Sequence, residues 1–284
     1  MRMRLVQCAD DTPLPRGLLV QTPACRDGRL LPALEPGTGV VSLKRIYNIF
    51  RYGIGPDALA SKRAVKAARR NEIFESGELW QEGEDQLTHR RYASYGEYLD
   101  HQAAKLDEIG DRLEETAAAD LAEFQRRFES CTALQPRSRV LCLGARRGTE
   151  VDAFLHLGHF AVGIDLNPGE NNQFVLHGDF HELVFADDSV DVVYTNVLDH
   201  VFDLERAMAQ VTRVLAPGGM MLAEILPGYE EGFVPGRFEA THWPRLDVLI
   251  DRIEGVSPLR RESVRDLGRH RRDQWFQVVF RKAP

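Results

Sequence analysis

A short apolar run that ends in a glycine-bounded turn constrains the fold of this chain more than any other feature. Val140–Leu143 leads into the turn Gly144–Gly148, and a helical pattern continues through Val151, Phe154 and Leu155. Apolar runs of this length without alternation are typical of parallel strands buried on both faces. The segment therefore predicts a buried strand, a turn tight enough for a ligand to approach the backbone, and a helix N-terminus beside it.

An acid stands at the end of the second predicted strand, Ala161–Asp165, and lies 17 residues after Gly148. A carboxylate at such a position accepts hydrogen bonds from the ribose hydroxyls of a nucleoside that lies over the first turn. A glycine turn alone occurs in many α/β proteins for reasons of packing. The turn and the acid together predict that the chain binds a nucleoside cofactor.

Two further predicted strands end in polar residues. The strand Gln173–Leu176 precedes a His-Gly-Asp-Phe motif, in which the Asp179 carboxylate can accept the amino group of adenine. Ser189–Asn196 is predicted as a fourth strand, and Asp199 and His200 follow its end. The polar groups that follow these strands are therefore candidates for a ligand site.

A helix and a fifth strand continue this order. The helix predicted over Asp203–Leu215 carries apolar residues at positions 204, 208, 211 and 215, the spacing of one helix face. The turn Ala216–Gly219 then leads into the strand Met220–Ile225.

In this order and spacing, the chain resembles the Rossmann-like class I S-adenosylmethionine (SAM) dependent methyltransferases. The motifs that carry the resemblance are Gly163–Asn167, His177–Phe180 and Arg213–Gly219, within a region that runs from Arg139 to the C-terminus. The resemblance implies an α/β fold with a seven-stranded, mostly parallel sheet, an antiparallel last strand over Gln274–Arg281, and a helical N-terminal cap. It also implies SAM as the cofactor and methyl transfer as the activity.

The resemblance assigns a set of residues to the cofactor, with Asp165 on the ribose and Asp179 near adenine. The cofactor-binding candidates are Gly144, Ala145, Arg146, Gly148, Glu150, Asp165, Leu166, Asp179, Phe180 and Asn196.

The first motif departs from the family pattern at two positions. The family usually has an acid two residues before the first glycine, which helps to hold the methionine ammonium, and a third glycine inside the turn. Here Cys142 and Arg146 occupy these positions. Glu150 is the nearest carboxylate and either replaces the missing acid or is an exposed first-turn acid that favours the helix dipole. Arg146 either meets the carboxylate of SAM or points to solvent.

The pair Asp199-His200 is the catalytic candidate, because catalytic groups of this fold tend to follow the fourth strand. SAM carries its own activated methyl group, so the protein positions the acceptor and removes its proton where required. We expect O-methylation with His200 as the general base and Asp199 positioning the acceptor or cofactor. Alternatively, His200 is a turn residue that caps a backbone group. Tyr194 and Asn196 are weaker candidates.

Composition is that of an ordinary globular protein, with 43% hydrophobic residues, 28% charged residues and a net charge of -7 over 284 residues. The sequence contains neither an apolar run long enough to span a bilayer nor a signal peptide, so we expect a cytoplasmic protein. Four cysteines (Cys8, Cys25, Cys131 and Cys142) lie far apart. Their spacing predicts free thiols and no metal site.

Basic segments bear on the acceptor. Ser61–Arg70 and six arginines within 260–272 either form solvated surfaces or meet an anionic acceptor. An acidic chain without stacking aromatic residues beside its arginines lacks the usual pattern of nucleic-acid binding. The expected acceptor is a small molecule or a glycan-type, sugar-containing biosynthetic intermediate.

We divide the chain into an N-terminal extension and helical cap, residues 1–135, and a SAM-binding domain, residues 136–284. Within the cap, residues 1–45 are rich in proline and glycine, residues 56–72 are predicted as a helix, and residues 94–131 form a long helical stretch that Gly110 interrupts. Ser94 and Glu97 at its start form a capping box. The helical face packs on the cofactor domain or on a partner subunit of a homo-oligomer.

Residues of this stretch are spaced as in a lid over the ligand crevice: Tyr95, Tyr98, His101 and Lys105. His242-Trp243 either lines the acceptor pocket or packs in the core.

Two other functions are alternatives: a SAM-fold binding protein that has lost catalysis, which the altered first motif suggests, and an NAD-binding oxidoreductase. The Asp179 motif and the Pro-Gly-Gly turn that ends at Gly219 disfavour the oxidoreductase.

Overall fold

Ten strands, five α-helices and one 3-10 helix, Leu198–His200, occur in the part of the chain that the computed structural model describes, residues 79–233, 235–270 and 273–284. The predictions for residues 1–45, 56–72 and the basic segment Ser61–Arg70 lie outside the described residues. In chain order, the elements are β1 (Trp80–Glu82), β2 (Thr88–Arg90), α1 (Tyr95–Ala103), α2 (Lys105–Glu129), β3 (Arg139–Leu143), α3 (Thr149–His156), β4 (Phe160–Asp165), β5 (Val175–His177), β6 (Val190–Thr195), α4 (Leu204–Val214), β7 (Leu215–Ile225), β8 (Thr241–His242), α5 (Leu246–Val256), β9 (Leu259–His270) and β10 (Asp273–Lys282).

Seven strands form the central sheet in the order β5-β4-β3-β6-β7-β10-β9. The first five run parallel, and β10 is antiparallel to both of its neighbours. This arrangement confirms the predicted seven-stranded, mostly parallel sheet with an antiparallel last strand. Val140–Leu143 in the central strand β3 are buried, as expected for a parallel strand that helices cover on both faces.

The carboxyl ends of β3, β4 and β6 meet at one edge of the sheet. Leu143 pairs with Ile164 of β4 and with Thr195 of β6, so the segments that follow these strands start side by side. In open α/β sheets this edge, where the order of strands reverses, is the usual place of a ligand crevice. The glycine turn, Asp165 and the residues after β6 therefore come together at this edge, as the sequence predicts.

The predicted turn Ala216–Gly219 forms part of β7. Pairing with β6 jumps from Val190–Leu215 to Val192–Met220, so residues 216–219 lie opposite the single residue Asp191. Proline and glycine interrupt strand pairing in this way because one lacks a donor and the other accepts unusual backbone angles. The predicted turn is therefore wrong, because these residues form an irregularity within the strand.

The long helical stretch breaks at Ala104 and not at Gly110, which corrects the prediction. Ser94 caps α1 by accepting the Glu97 backbone N–H at 3.2 Å, so the predicted capping residue is confirmed. At the other end of α1, the Asn167 side-chain amide donates to the Ala103 carbonyl at 2.9 Å and satisfies a terminal backbone acceptor. Gly110 lies inside α2 and is buried.

A second, three-stranded sheet holds a loop over the turn that follows β6. β2 pairs with β1 and with β8, and the Arg90 backbone N–H donates to the Ala240 carbonyl at 2.7 Å. Ala240 in turn donates its backbone N–H to the Asp199 carbonyl at 2.8 Å. Phe238 and Glu239 are thereby held close to the Asp199-His200 pair.

No helix in the described parts of the chain combines the length and the apolar character that a membrane span requires.

Candidate active site

A cavity opens at the carboxyl ends of β3, β4 and β6 and is closed from above by α1 and by the start of α2. Six of the predicted cofactor and catalytic residues line it: Gly144, Arg146, Asp165, Leu166, Phe180 and His200. The remaining lining residues are Tyr98, Gln102, Lys105, Leu106, Asn167 and Val197. The cap helices thus supply four of the lining residues, of which Tyr98 and Lys105 belong to the set predicted as a lid, and the lid role itself stays a prediction.

The glycine turn has little room for side chains. Gly144 has a φ of +68°, and a Cβ at this position would come within 2.5 Å of Val197 Cγ2. Arg146, in the place of the family's mid-turn glycine, has a φ of +46°. Gly144 is therefore required by both conformation and space, whereas the Arg146 position accepts a side chain in the left-handed region at some energetic cost.

Asp165 is fixed by the backbone of the two segments beside it. Its Oδ2 accepts the Arg146 backbone N–H at 2.9 Å, and its Oδ1 accepts the Asn167 backbone N–H at 2.8 Å. Burial raises the pKa of this carboxyl, and the two backbone N–H groups oppose that rise. Each carboxylate oxygen accepts more than one hydrogen bond, so both oxygens can still accept a ribose hydroxyl.

Asp179 does not line the cavity, and α1 covers it. Its Oδ2 accepts the Tyr95 hydroxyl, and its Oδ1 accepts the His181 backbone N–H at 2.8 Å. Although burial acts in the opposite direction, hydrogen bonds from His181 and Tyr95 lower the pKa of Asp179. The carboxylate that was predicted to accept the adenine amino group therefore binds Tyr95 and the His181 backbone in this structure.

Glu150 points into the protein, not to solvent, which contradicts the reading of it as an exposed first-turn acid. It is 6% exposed, and burial raises its pKa to about 8. Cys142, which replaces the family's acid on β3, is fully buried, and burial together with the charge of Glu150 raises its pKa. Glu150 is thus close enough to Cys142, the position of the family's acid, to affect its ionisation. That Glu150 binds the methionine ammonium remains a prediction.

His200 is held at three points. Its Nδ1 lies 2.8 Å from the Phe238 carbonyl oxygen, and its own carbonyl accepts the Tyr98 hydroxyl at 3.0 Å. Because a carbonyl only accepts, Nδ1 carries the proton, and Nε2 bears the lone pair. Nε2 lies 2.5 Å from Lys105 Nζ.

Burial, and then the charges of Lys105 and Arg146, lower the pKa of His200 well below the usual value. The ring is therefore neutral at physiological pH. It binds a backbone carbonyl with one nitrogen, as the alternative interpretation expected, and presents the other nitrogen to the cavity.

Two side chains beside His200 were not identified from the sequence as members of the site. Lys105 was assigned only to a lid, and Glu239 was not considered, because no motif marks the loop that carries it. Burial lowers the pKa of Lys105, and burial raises that of Asp199. Asp199 Oδ2 lies 3.7 Å from His200 Nε2.

Asp199, His200 and Glu239 bring three potential metal-ligand atoms within 4.8 Å of one another. The Lys105 amine already lies on the nitrogen that such an ion would need. The absence of a metal site therefore stays a prediction.

Several predicted residues lie outside the cavity wall. These are Ala145, Gly148, Glu150, Asp179, Asn196 and Asp199. Among the weaker candidates, Tyr194 is fully buried in the core beside Phe128 and Phe154, and Trp243 is also buried in the core.

His101 binds the Tyr92 hydroxyl at 2.9 Å and stacks on Phe238. His242 lies within an aromatic cluster that includes Trp80 and Trp243. Neither histidine lines the cavity.

Four of the six arginines predicted to meet an anionic acceptor, Arg260, Arg261, Arg265 and Arg269, lie on β9, the edge strand at the far side of the sheet, and the other two lie outside the described residues. Arg265 donates to the Ser130 and Arg127 carbonyls at 2.8 and 2.9 Å, and Arg260 donates to the Glu254 carbonyl at 3.0 Å. Neither lines the cavity. Both bind backbone carbonyls near the C-terminal ends of helices, so they give no support to an anionic acceptor.

Residues 141–223 match the family model described as a methyltransferase domain. A SAM-dependent methyltransferase from Thermotoga maritima, described as a possible histamine N-methyltransferase, is 17% identical with a TM-score of 0.50, and the match covers 64% of this chain and 99% of that chain. The 1,6-didemethyltoxoflavin-N1-methyltransferase of Burkholderia thailandensis, solved with its acceptor and S-adenosylhomocysteine, is 16% identical with a TM-score of 0.55. That match covers 72% of this chain and 99% of that chain. A comparison with curated protein sequences finds no match.

The order of strands and the glycine turn followed by Asp165 define a Rossmann-like fold with a nucleoside-type crevice. Residues 141–223 match the methyltransferase-domain model, and the fold of the described residues is that of the class I SAM-dependent methyltransferases.

Proposed function

We propose that this protein binds SAM in the cavity at the end of β3 and β4 and transfers the methyl group to a small molecule. The observation that carries the proposal is the position of Asp165 at this cavity, where backbone N–H groups hold both of its oxygens. SAM supplies an activated methyl group, so the chain needs only to bind, orient and deprotonate the acceptor.

The lining residues suit each part of this cofactor. Gly144 lets a ligand approach the backbone, Asp165 can accept ribose hydroxyls, and Leu166 and Phe180 offer apolar surfaces to a purine. Glu150 remains the proposed partner of the methionine ammonium. A carboxyl with a pKa of about 8 is largely neutral at pH 7, and a bound ammonium would favour its ionised form.

The acceptor end of the cavity lies at His200. We infer O-methylation of a small or sugar-containing molecule, because a neutral imidazole with Nε2 as its acceptor atom favours removal of a hydroxyl proton. His200 takes part either directly through Nε2 or through the group that Nε2 binds, and Asp199 positions the acceptor. The cap role of residues 1–135 is proposed on the same basis, since α1 and α2 line the cavity.

A SAM-binding protein without catalysis is the second candidate, and Cys142 and Arg146 favour it because both depart from the first motif. Calorimetric titration with SAM and with S-adenosylhomocysteine tests binding in both cases. Incubation with methyl-labelled SAM and a metabolite extract then distinguishes the enzyme from the non-catalytic binding protein, since only an enzyme transfers the labelled methyl group. Binding without transfer into any extract would support the second candidate. No binding of either molecule would contradict both.

A cytoplasmic location and assembly of identical subunits remain predictions.

A further inference from the structure

The hydroxyl of Tyr95, at the start of the cap helix α1, binds the carboxylate that was predicted to accept the adenine amino group. Tyr95 donates to Asp179 Oδ2. Asp179 Oδ1 accepts the His181 backbone N–H at 2.8 Å and lies 2.9 Å from His181 Nδ1. Because His181 Nε2 accepts the Asp203 backbone N–H at 3.2 Å, Nδ1 carries the ring proton. Both donors to Oδ1 thus come from His181, so Oδ2 is the oxygen that remains for an adenine, and Tyr95 already binds it.

A cluster of aromatic rings holds Tyr95 in this position. The centroid of its ring lies 5.4 Å from that of Tyr98, 5.2 Å from that of Phe202 and 5.7 Å from that of His181, the last two edge-to-face. The guanidinium of Arg206 lies 5.6 Å from the same centroid. Edge-to-face rings and a cation beside a ring attract each other through the quadrupole of the ring. The tyrosine therefore has a packed place on the cofactor domain.

The cavity reaches the ribose end of the expected cofactor but not its adenine end. Asp165 lines the cavity, whereas Asp179 does not. The volume of the cavity is about 40 Å³, and pockets that bury a ligand of drug size measure about 300–1,000 Å³. A nucleoside cofactor is of that size, so the cavity has to widen before SAM binds. Tyr95, bound to Asp179, lies at the end that has to widen.

The first turn of α1 can move while the rest of the helix stays in place. Tyr98 is fully buried, and its hydroxyl donates to the His200 carbonyl at 3.0 Å, so the helix is anchored from this residue onwards. Residues 93, 94, 96 and 97 are exposed. The Glu97 N–H donates to Ser94 Oγ at 3.2 Å, and the Tyr98 N–H donates to the Ser94 carbonyl at 3.3 Å. Opening therefore involves only the cap and the first turn of the helix.

We propose that the first turn of α1 is a lid on the adenine end of the cavity, and that the Tyr95–Asp179 hydrogen bond keeps this lid closed. SAM binds by displacing Tyr95, and the adenine amino group replaces the tyrosine hydroxyl on Asp179 Oδ2. One donor takes the place of another on the same oxygen, so the number of hydrogen bonds to Asp179 is unchanged. Because only the open form binds SAM, the measured affinity is the intrinsic affinity reduced by the fraction of molecules with an open lid.

This inference rests on the proposed function for its ligand, but its first test requires no ligand. Tyr95→Phe removes the hydroxyl and keeps the ring, so the first turn should open about tenfold more often, the effect of one hydrogen bond to a charged group. Amide hydrogen exchange on the full-length protein measures this opening at Glu97 and Tyr98, whose N–H groups both bind Ser94. Tyr229→Phe is the matched control, because it removes a tyrosine hydroxyl outside α1 and outside the cavity wall.

Equal exchange at Glu97 and Tyr98 in Tyr95→Phe and in the parent would overturn the proposal. The same result would follow from exchange that rises as much in Tyr229→Phe as in Tyr95→Phe, since the effect would then not be specific to the lid.

The second test measures SAM affinity by calorimetry and the rate of SAM association by stopped flow. Tyr95→Phe should bind SAM about tenfold more tightly and faster than the parent, because hydrogen exchange and binding report the same ratio of closed to open lid. Tyr229→Phe should match the parent. Unchanged or weaker binding by Tyr95→Phe would overturn the inference. Failure of both the parent and Tyr95→Phe to bind SAM would instead overturn the proposed function, and hydrogen exchange would still report on the lid.

Discussion

The two ends of the cavity are built in different ways. At the cofactor end, the backbone of one continuous segment makes the site: the turn after β3 and the acid after β4 bind each other through main-chain N–H groups. At the acceptor end, side chains from three separate segments meet, with Lys105 from α2, His200 from the turn after β6 and Phe238 from the loop before β8. The first end depends on the backbone path of one segment and on a single acid, whereas the second depends on side chains that come from separate segments.

The largest effect should follow loss of the imidazole at the acceptor end. His200→Ala should lower turnover by about 10²–10⁴-fold, because proton removal from the acceptor depends on the group that His200 holds or provides. SAM affinity should stay the same, since the cofactor contacts lie on other segments. A steady-state methyl-transfer assay measures the turnover, and calorimetry measures the SAM affinity. His101→Ala is the matched control, because this histidine lies on α1 and outside the cavity wall. A His200→Ala variant with turnover near that of the parent would remove His200 from the mechanism.

The next effect concerns Asp165 at the cofactor end. Asp165→Ala should weaken SAM binding by about 100-fold, corresponding to two hydrogen bonds to a charged acceptor at about 1.5 kcal/mol each. Asp165→Asn is the control that keeps the size of the side chain and part of its accepting capacity. Calorimetry on both variants measures the loss. An affinity of Asp165→Ala equal to that of the parent would contradict the placement of the ribose.

Two glycines with positive φ, Gly144 in the turn and Gly158 outside it, distinguish the cost of steric crowding from the cost of backbone conformation. Gly144→Ala should lower the free energy of unfolding by about 2–5 kcal/mol, the sum of left-handed strain and overpacking against Val197. Gly158→Ala is the matched control, because Gly158 also has a positive φ of +83° but has no atom within 4 Å of an added Cβ. It should lose only about 1–2 kcal/mol. Urea denaturation measures both, and equal losses would show that Val197 moves aside.

The last prediction concerns the pH dependence of stability at Glu150. Burial raises the pKa of Glu150 to about 8 in the folded protein, above its value in the unfolded chain. The unfolded chain then loses this proton first, so the group lowers stability progressively as pH rises from about 4.5 to 8. Glu150→Gln should remove this slope and be more stable than the parent at pH 8, with little difference at pH 4. It should also weaken SAM binding if Glu150 holds the ammonium. Identical stability profiles would mean that Glu150 does not keep its proton on folding.

Local sequence patterns mark the cofactor end of the cavity but not the acceptor end, for one physical reason. Glycine at position 144 and an acid at position 165 leave a local pattern, because backbone conformation and strand ends dictate them. The contact between Lys105 and His200 spans 95 positions, and nothing local marks it. The same applies to Phe238 and Glu239, whose loop is positioned by the small sheet of β1, β2 and β8.

Two local expectations differed in detail. The helical stretch breaks at Ala104, where Asn167, which is distant in sequence, binds the last carbonyl of α1. The pKa of His200 lies well below 6.5 because burial and the cations Lys105 and Arg146 disfavour its charged form. An acidic limb of activity near pH 6.5 from this histidine is therefore not expected. Both differences involve burial or contacts between residues that are far apart in sequence, and the residues next to each position do not reveal them.

A crystal structure of the full-length protein with S-adenosylhomocysteine tests the central claim most directly. The account predicts the ribose hydroxyls on the Asp165 carboxylate, the amino-acid end over Gly144, and the sulfur directed towards the Lys105–His200 pair. Density for the ligand at any other place, or a ribose without contact to Asp165, would contradict it.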